Sequence, residues 1–250
     1  MKKLFYIFAF ATILSCNQED AWDCLQTAGN ITNEEITVTR FHSIQLEGDI
    51  NMVVSESDTQ EVHLETGQNL RSDFYVGVEN GILIVRNNNR CNLSREYAIS
   101  TVFVATDTLN HIRHSSPRDI RSEGILTFPT LTLESNSTGG PEISSKSGNF
   151  YLDLDISELR ISANGQSAFN LYGFCENANI VFSDEYPRLE GADLKIQKLE
   201  VLQRSANKMI VHPVQSITGF IYGTGDIIAV NRPLEIQVEE TWTGRLLFEE

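Results

Sequence analysis

Along most of the chain, apolar and polar residues alternate in short runs that glycine, asparagine, aspartate, serine and proline interrupt. A period of two residues predicts β-strands, and the spacing of an amphipathic helix is nearly absent. In the N-terminal third, residues 74–78 alternate in this way, Glu79-Asn80-Gly81 follows as a turn, and the apolar run 82–85 continues beyond it. A short turn between two such runs predicts a β-hairpin.

From about residue 109 the strand pattern repeats, and five apolar cores recur at steps of 21, 19, 18 and 17 residues. The cores are Leu159-x-Ile161, Ile180-x-Phe182, Leu199-x-Val201, Ile217-x-x-Phe220 and Leu234-x-Ile236. Each core is followed by a turn and a second short strand. A repeat of this size cannot bury its own apolar face, whereas stacked repeats share one continuous core.

Small residues at the corners of these repeats, as in Asn164-Gly165 and Thr243-Gly244, suit tight turns. The sequence therefore predicts an all-β fold, a right-handed single-stranded β-helix (solenoid) with a hairpin-rich N-terminal part. An antiparallel sandwich is the alternative, and the N-terminal hairpin favours it.

The beginning of the chain has the pattern of an export signal. Lys2 and Lys3 precede the apolar run 4–14, which is shorter than the roughly 20 residues that span a bilayer. The run ends in Ile13-Leu14-Ser15-Cys16, which resembles the bacterial lipobox, where the cysteine after the cleavage site carries lipid. We expect residues 1–15 to be a signal peptide, 16–30 a lipid-anchored segment and 31–250 the β-helical domain. An ordinary secretory signal is the alternative.

The residues after Cys16 indicate a destination. Asn17 stands where the inner-membrane retention signal of proteobacteria has aspartate, and the acidic run Glu19-Asp20 resembles the surface-export signal of Bacteroidota lipoproteins. We therefore expect a protein anchored to the outer membrane through lipid on Cys16. The sequence leaves open whether it faces the periplasm or the cell surface.

The chain is acidic, with 34 acidic and 19 basic residues and a formal net charge of −15. Loss of Lys2 and Lys3 with the signal peptide changes the charge of the mature chain to −17. Because phosphate binding requires clustered Lys and Arg, we expect no nucleic-acid partner.

Three cysteines remain after Cys16, and export allows them to form disulfides. Cys24 and Cys91 lie in polar, turn-rich segments, and we expect them to be bridged. Cys175 stands beside Phe174 in an apolar stretch and is predicted to be a buried free thiol. The sequence alone leaves the connectivity open.

Several segments, in order, resemble the head GIN domain family of auto-transporter adhesins, which are Bacteroidota lipoproteins. The segments are 23–25, 35–38, 41–44, 62–70, 79–84, 89–92, 222–227, 231–233 and 243–246. The resemblance covers essentially the whole mature chain and implies a β-helical cell-envelope protein without established chemistry. Cys175 matches no cysteine of the family, and Ser115-Ser116-Pro117 departs from its glycine-rich corners.

Two short patterns resemble binding motifs but fit strands and turns better. Gly223-Thr224-Gly225 precedes the strand-like run 227–230, whereas a phosphate-binding loop requires a following helix. His111 and His114 would share one face of a helix and could bind metal there. On a strand they point to opposite faces, and we expect both to be exposed to solvent.

Two further patterns concern catalysis. Asp153 and Asp155 alternate with leucines, as on the solvent face of a strand. Calcium or a cationic glycan bound to stacked acids is the alternative. Gly165-Gln166-Ser167 lacks the closing glycine of a nucleophile elbow. We therefore predict no catalytic residue, no metal and no cofactor.

Asp107-Thr108-Leu109 matches the acceptor pattern of Bacteroidota O-glycosylation, which makes Thr108 a candidate modification site. We predict a non-catalytic adhesin or a module that binds glycan or protein through an elongated face, with Tyr172, Tyr222 and Trp242 as candidate ligand residues. A structural or stress-related envelope protein without a ligand is the first alternative. A β-helical polysaccharide lyase or hydrolase is a distant second.

Overall fold

The structure is a computed structural model that describes residues 24–249 except 90, 94 and 142–144. The predicted signal peptide and lipid attachment site at Cys16 lie outside the described residues. Within them the chain is all-β, as the alternating pattern predicts, and its strands join in one curled mixed sheet of 17 strands. No helix in this part is long and apolar enough to cross a membrane.

Strands before residue 136 are short, and most strands after residue 149 are long. The short strands are β1 (Ile31–Glu35), β2 (Ser43–Glu47), β3 (Asn51–Glu56), β4 (Glu61–Gly67), β5 (Phe74–Glu79), β6 (Ile82–Asn87), β7 (Thr101–Thr106), β8 (His111–Ser115), β9 (Ile120–Leu126) and β10 (Thr130–Ser135). The later strands are β11 (Phe150–Ala163), β12 (Ala168–Phe182), β13 (Arg188–Gln203), β14 (Met209–Ile221), β15 (Ile227–Ala229), β16 (Glu235–Glu240) and β17 (Leu246–Phe248). A 3₁₀ helix (Gln68–Asp73) connects β4 to β5.

Parallel pairing builds two ladders. Ladder one contains β6, β2, β8, β10, the second halves of β11 to β14, and β16. Ladder two contains β3, β9, the first halves of β11 to β14, and then β15 and β17. Because each long strand belongs to both ladders, equivalent side chains of successive repeats lie next to each other on each face.

Antiparallel pairs occur in the first part of the described chain, between β1 and β4, β4 and β7, and β5 and β6. The β5–β6 pair is the predicted hairpin, and its turn residues Asn80 and Gly81 have φ values of 52° and 78°. Positive φ at both central residues is characteristic of the type I′ turn. From β8 onward every strand pair in the described part is parallel, so an antiparallel sandwich does not describe that region.

Three of the four predicted repeat steps were wrong by two residues, and one of them is the last step, in which Ile217 pairs with Ile236 and not with Leu234. Ile180 pairs with Ile161 on one side and with Val201 on the other, whereas the sequence pattern aligned it with Leu159 and Leu199. A shift of two residues leaves every side chain on the same face of its strand. The inward set is therefore unchanged, and Ile161, Ile180 and Val201 are all buried.

Three predicted core residues, Leu234, Ile236 and Phe220, are exposed. Leu234 precedes β16 and is 92% exposed, and Ile236 is the residue that pairs with Ile217. Phe220 is 42% exposed because it lies three residues after the inward-facing Ile217, and an odd spacing puts a side chain on the opposite face of a strand.

The inward side chains of ladder two form a continuous apolar column. Its members are Phe150, Phe169, Leu189, Met209 and Ile227, all fully buried. The rings of Phe150 and Phe169 stack with centroids 4.7 Å apart and planes 10° apart. This packing holds the long strands in register and leaves their outward side chains free to contact a ligand.

The cysteines divide between the surface loops and the core. Cys24 and Cys91 form a disulfide that ties the segment before β1 to the loop after β6. Cys175, in β12, is free and buried, and burial raises the pKa of its thiol to about 12. Cys175 is therefore protonated at neutral pH and unreactive, since the thiolate is the reactive form.

Candidate ligand-binding groove

The outer face of ladder one carries a groove across β11, β12, β13 and β14, with a volume of about 550 Å³. Its walls consist of two polar side chains from each of the four strands. They are Glu158, Arg160, Asn177, Asn179, Lys198, Glu200, Ser216 and Thr218, and we call this set the polar groove. The backbone at Ala178 and Leu199 contributes to its floor.

Strand register explains why these side chains meet. One column of the groove runs Glu158, Asn177, Lys198 and Ser216, and the other runs Arg160, Asn179, Glu200 and Thr218. Alternate residues of a strand face the same side, and adjacent strands lie about 4.8 Å apart. The groove is therefore a grid of polar groups at regular spacing.

Hydrogen bonds between neighbouring strands fix the two carboxylates. The Nδ2 atom of Asn177 donates to Glu158 at 2.9 Å, and that of Asn179 donates to Glu200 at 2.8 Å. Each asparagine keeps its carbonyl oxygen without a donor from the described part of the chain. The groove therefore offers hydrogen-bond acceptors to a ligand, and its two cationic side chains offer hydrogen-bond donors.

The two cations of the groove have no such partner. Neither Arg160 nor Lys198 forms an ion pair or hydrogen bond with any residue that the structure describes, and both side chains are exposed. They are available for a negatively charged group.

An apolar strip borders the groove. Val181, Leu202 and Phe220 are the next outward residues of β12, β13 and β14, and they pair in register beside the columns of the groove. The ring of Tyr222 stacks on that of Phe220, with centroids 5.4 Å apart and planes 11° apart. We call these four residues the apolar strip, and it gives the groove an aromatic edge.

The three predicted ligand residues lie on different surfaces. Tyr222, 41% exposed, belongs to the apolar strip. Trp242, 62% exposed, lies one repeat further, where the backbone N–H of Thr241 donates to the carbonyl of Ile221. Tyr172 is 41% exposed but lies in ladder two, paired with Asp153. The three therefore do not form one face.

Thr108, the candidate glycosylation site, follows β7 and is half-buried. Its hydroxyl donates to the carbonyl oxygen of Phe41 at 3.2 Å, a hydrogen bond that a glycan would break. The neighbouring Asp107 forms a 2.6 Å ion pair with Arg40, and this bond lowers the pKa of its carboxyl group. Modification of Thr108 stays a prediction.

His111 and His114 point to opposite faces of β8, and the expectation that both are exposed was wrong. His111 is half-buried and contacts Glu134 at 3.0 Å, whereas His114 is fully buried with its ring edge-on to Phe150. Burial lowers the pKa of His114 to about 4. Among the described residues, no group of three or more His, Cys, Asp and Glu is placed to hold a metal ion.

The remaining motifs have structural positions. The Gly223-Thr224-Gly225 turn is followed by β15, and a Cβ at Gly225 would lie 1.9 Å from the carbonyl oxygen of Asn207 in the preceding repeat. Glycine there permits close stacking of adjacent turns. Asp153 and Asp155 are exposed on the outer face of ladder two.

Residues 40–233 match the model of a family described as "Putative auto-transporter adhesin, head GIN domain". No curated protein sequence matches the chain. The matched segment contains all four strands that carry the polar groove.

Solved structures show the same fold at low sequence identity. A "putative adhesin" from Bacteroides fragilis is 16% identical, with a TM-score of 0.78, and the match covers 89% of this chain and 99% of that one. A "putative lipid binding protein" from Parabacteroides distasonis is 16% identical, with a TM-score of 0.61 and coverage of 89% and 98%. A "putative adhesin" from Parabacteroides merdae is 17% identical, with a TM-score of 0.60 and the same coverage.

Proposed function

The chain belongs to the head GIN domain family of auto-transporter adhesins, and on this premise we propose that it is a non-catalytic envelope protein that binds carbohydrate through the polar groove and the apolar strip. The observation that carries the proposal is the juxtaposition of these two surfaces on four successive strands. A regular grid of hydrogen-bonding groups lies beside an exposed, stacked aromatic pair.

This combination suits a sugar chain. Sugar rings have hydroxyl groups that donate and accept hydrogen bonds, and they have apolar C–H faces that pack on aromatic rings. The groove supplies carboxylates, amide oxygens and hydroxyls as hydrogen-bonding partners, and Phe220 and Tyr222 supply the aromatic surface. Rigid strands hold these groups in place, so a ligand orders few side chains when it binds.

A carbohydrate fits better than a folded protein partner. Standard protein interfaces bury about 800 Å² on each partner around an apolar core. The apolar part of this surface consists only of the narrow strip, while the groove walls are polar. A groove of about 550 Å³ is instead in the size range of small-ligand sites.

We also propose that residues 150–248 coil as a right-handed single-stranded β-helix. The parallel register supports this, because Phe150, Phe169, Leu189, Met209, Ile227 and Leu246 pair in turn at intervals close to 19 residues. An experimental structure with one left-handed crossover between successive repeats would contradict it.

We propose that lipid on Cys16 anchors the protein to the outer membrane. The lipobox-like Ile13-Leu14-Ser15-Cys16 and the adhesin family support this location. Metabolic labelling with a palmitate analogue tests the anchor: the wild type is expected to be labelled and Cys16→Ala is not. Equal labelling of both proteins would refute it.

A glycan array with the purified mature protein tests the proposed function. We expect binding to at least one polysaccharide class, and Tyr222→Ala should lower the affinity about tenfold because it removes the exposed ring stacked on Phe220. Tyr186→Ala is the matched control, since Tyr186 is also exposed but lies in the turn before β13. Wild-type protein that binds no glycan at all would argue for an envelope protein without a ligand.

The non-catalytic part of the proposal has its own test. Both carboxylates of the groove accept a hydrogen bond from a neighbouring asparagine, an arrangement that stabilises a binding surface. Incubation with neutral and acidic polysaccharides should give no new reducing ends and no unsaturated products. Turnover that is lost in Glu158→Gln would favour the lyase or hydrolase alternative.

A further inference from the structure

We infer that the polar groove takes a polysaccharide with negatively charged groups, carboxylate or sulfate, which Arg160 and Lys198 bind. This inference rests on the proposed carbohydrate-binding function and names the class of carbohydrate. It depends on how the charges of the groove are arranged.

Both columns of the groove have the same order of chemical groups. In the first column Asn177 lies between Glu158 and Lys198, and in the second Asn179 lies between Arg160 and Glu200. An amide thus separates each acid from the cation of its own column. Since each asparagine donates to the carboxylate, the acids are held toward the amides and the cations stay unpaired.

Two cations near the N-terminal end of the outer face of ladder one are paired. Arg86 binds Glu47, and the guanidinium of Arg113 lies 2.7 Å from Glu134. On this face the two cations near the N-terminus are therefore paired with carboxylates, whereas the two cations of the polar groove are not. Because no carboxylate of the described chain pairs with Arg160 or Lys198, these two cations are available to an external anion.

The two cations lie diagonally across the groove. They are two strands and one outward position apart, which places their backbone positions about 12 Å from each other. Negative groups on two non-adjacent rings of an extended polysaccharide suit this separation, because arginine and lysine side chains are long and flexible.

The chemistry of the two side chains suits carboxylate and sulfate. The planar guanidinium of Arg160 can donate two parallel hydrogen bonds to either group, and the ammonium of Lys198 provides a compact second charge. The rings between the two charges would contact Asn177 and Asn179 through their hydroxyl groups. An interaction of this kind at an exposed site weakens as salt screens it.

Equilibrium binding of the mature protein to polygalacturonate, dextran sulfate and neutral dextran tests the inference. The groove variant is Arg160→Gln with Lys198→Gln. The control is Lys195→Gln with Lys208→Gln, which removes the same charge away from the groove. Lys195 lies in ladder two, and Lys208 lies in the turn before β14. Thermal unfolding of both variants verifies that they are folded.

We expect the wild type to bind at least one of the two anionic polysaccharides, with affinity that falls as salt rises. The groove variant should bind it at least tenfold more weakly, and the control variant within twofold of the wild type. Preference between polygalacturonate and dextran sulfate identifies carboxylate or sulfate as the recognised group.

Equal loss of affinity in both variants would overturn the inference, because it would show attraction to net charge and not to the groove. Binding of neutral dextran alone, lost in Tyr222→Ala, would also overturn it while leaving the proposed function intact. Binding of none of the three, together with an empty glycan array, would refute the proposed function itself.

Discussion

Outward cations are paired with carboxylates at the N-terminal end of ladder one and unpaired in the polar groove, although the strands of both regions have the same geometry. Near the N-terminus the outward cations Arg86 and Arg113 are neutralised by Glu47 and Glu134. In the polar groove an asparagine intervenes between acid and cation in both columns. The register of the stacked strands, more than the composition of the chain, therefore decides which charged side chains of this acidic protein remain available to a ligand.

The same two regions are also held together differently. The N-terminal region contains the antiparallel pairs and the Cys24–Cys91 disulfide. The region from β11 onward contains parallel strands over the apolar column that includes Phe169. We therefore expect core truncation to affect the second region most, and disulfide removal the first.

The largest effect is expected for Phe169→Ala, which should reduce the free energy of unfolding by about 4 kcal/mol because it opens a cavity in the stacked column. Urea denaturation measures the loss. Phe174→Ala, on the outward face of the same strand, should cost less than about 1 kcal/mol. Similar losses for the two variants would mean that the column does not carry the stability of this region.

Removal of the disulfide should have the next largest effect. Cys24→Ser with Cys91→Ser frees a loop with a sequence separation of 67 residues, and the free energy of unfolding should fall by about 3 kcal/mol. Glycan binding by the folded variant should match the wild type, because the groove lies in the other region. A selective loss of glycan affinity would show that the two regions are coupled.

A third prediction concerns His114, in β8 between the two regions. Burial lowers the pKa of His114 from its ordinary 6.5 to about 4, so the unfolded chain binds the proton more strongly. Above pH 6.5 His114 is neutral in the unfolded chain as well, so keeping it neutral in the folded protein costs no free energy. The free energy of unfolding decreases as the pH drops from 6.5 toward 4. Between pH 7.5 and pH 5 the loss should be about 2 kcal/mol.

The measurement is urea denaturation at these two pH values for the wild type and for His114→Leu. The leucine variant should lose about 2 kcal/mol less than the wild type over the interval, because its apolar side chain does not titrate. An identical pH dependence in both proteins would assign the effect to titratable groups other than His114.

The alternating pattern predicted much of the fold, since a period of two residues identifies strands and their inward faces wherever the core is continuous. It could not fix the pairing of Ile161, Ile180 and Val201, because a slip of two residues leaves the pattern unchanged. The sequence did not predict the burial of His114, because the alternating pattern places apolar residues in the core. A neutral histidine packed on Phe150 is an exception to that pattern.

The groove was harder to predict than the fold. Arg160, Asn177 and Lys198 are outward residues of separate strands, and only the observed register places them on one surface. The sequence predicts Tyr222 as a candidate ligand residue, but it assigns the stacking partner Phe220 to the core. Outward polar residues at every second position are so common in strands that they carry little signal until the register is known.

The smallest effects test the difference between the paired Arg113 and the unpaired Arg160 on the outer face of ladder one. Arg113→Gln should reduce the free energy of unfolding by about 1.5 kcal/mol, because the buried guanidinium donates to the carbonyl of Thr138 at 2.8 Å and pairs with Glu134. Arg160→Gln should change it by less than about 0.5 kcal/mol, since that side chain is exposed and unpaired within the described part of the chain. Equal costs in urea denaturation would mean that the Arg160 side chain contributes to the fold, and its assignment to ligand binding would lose its basis.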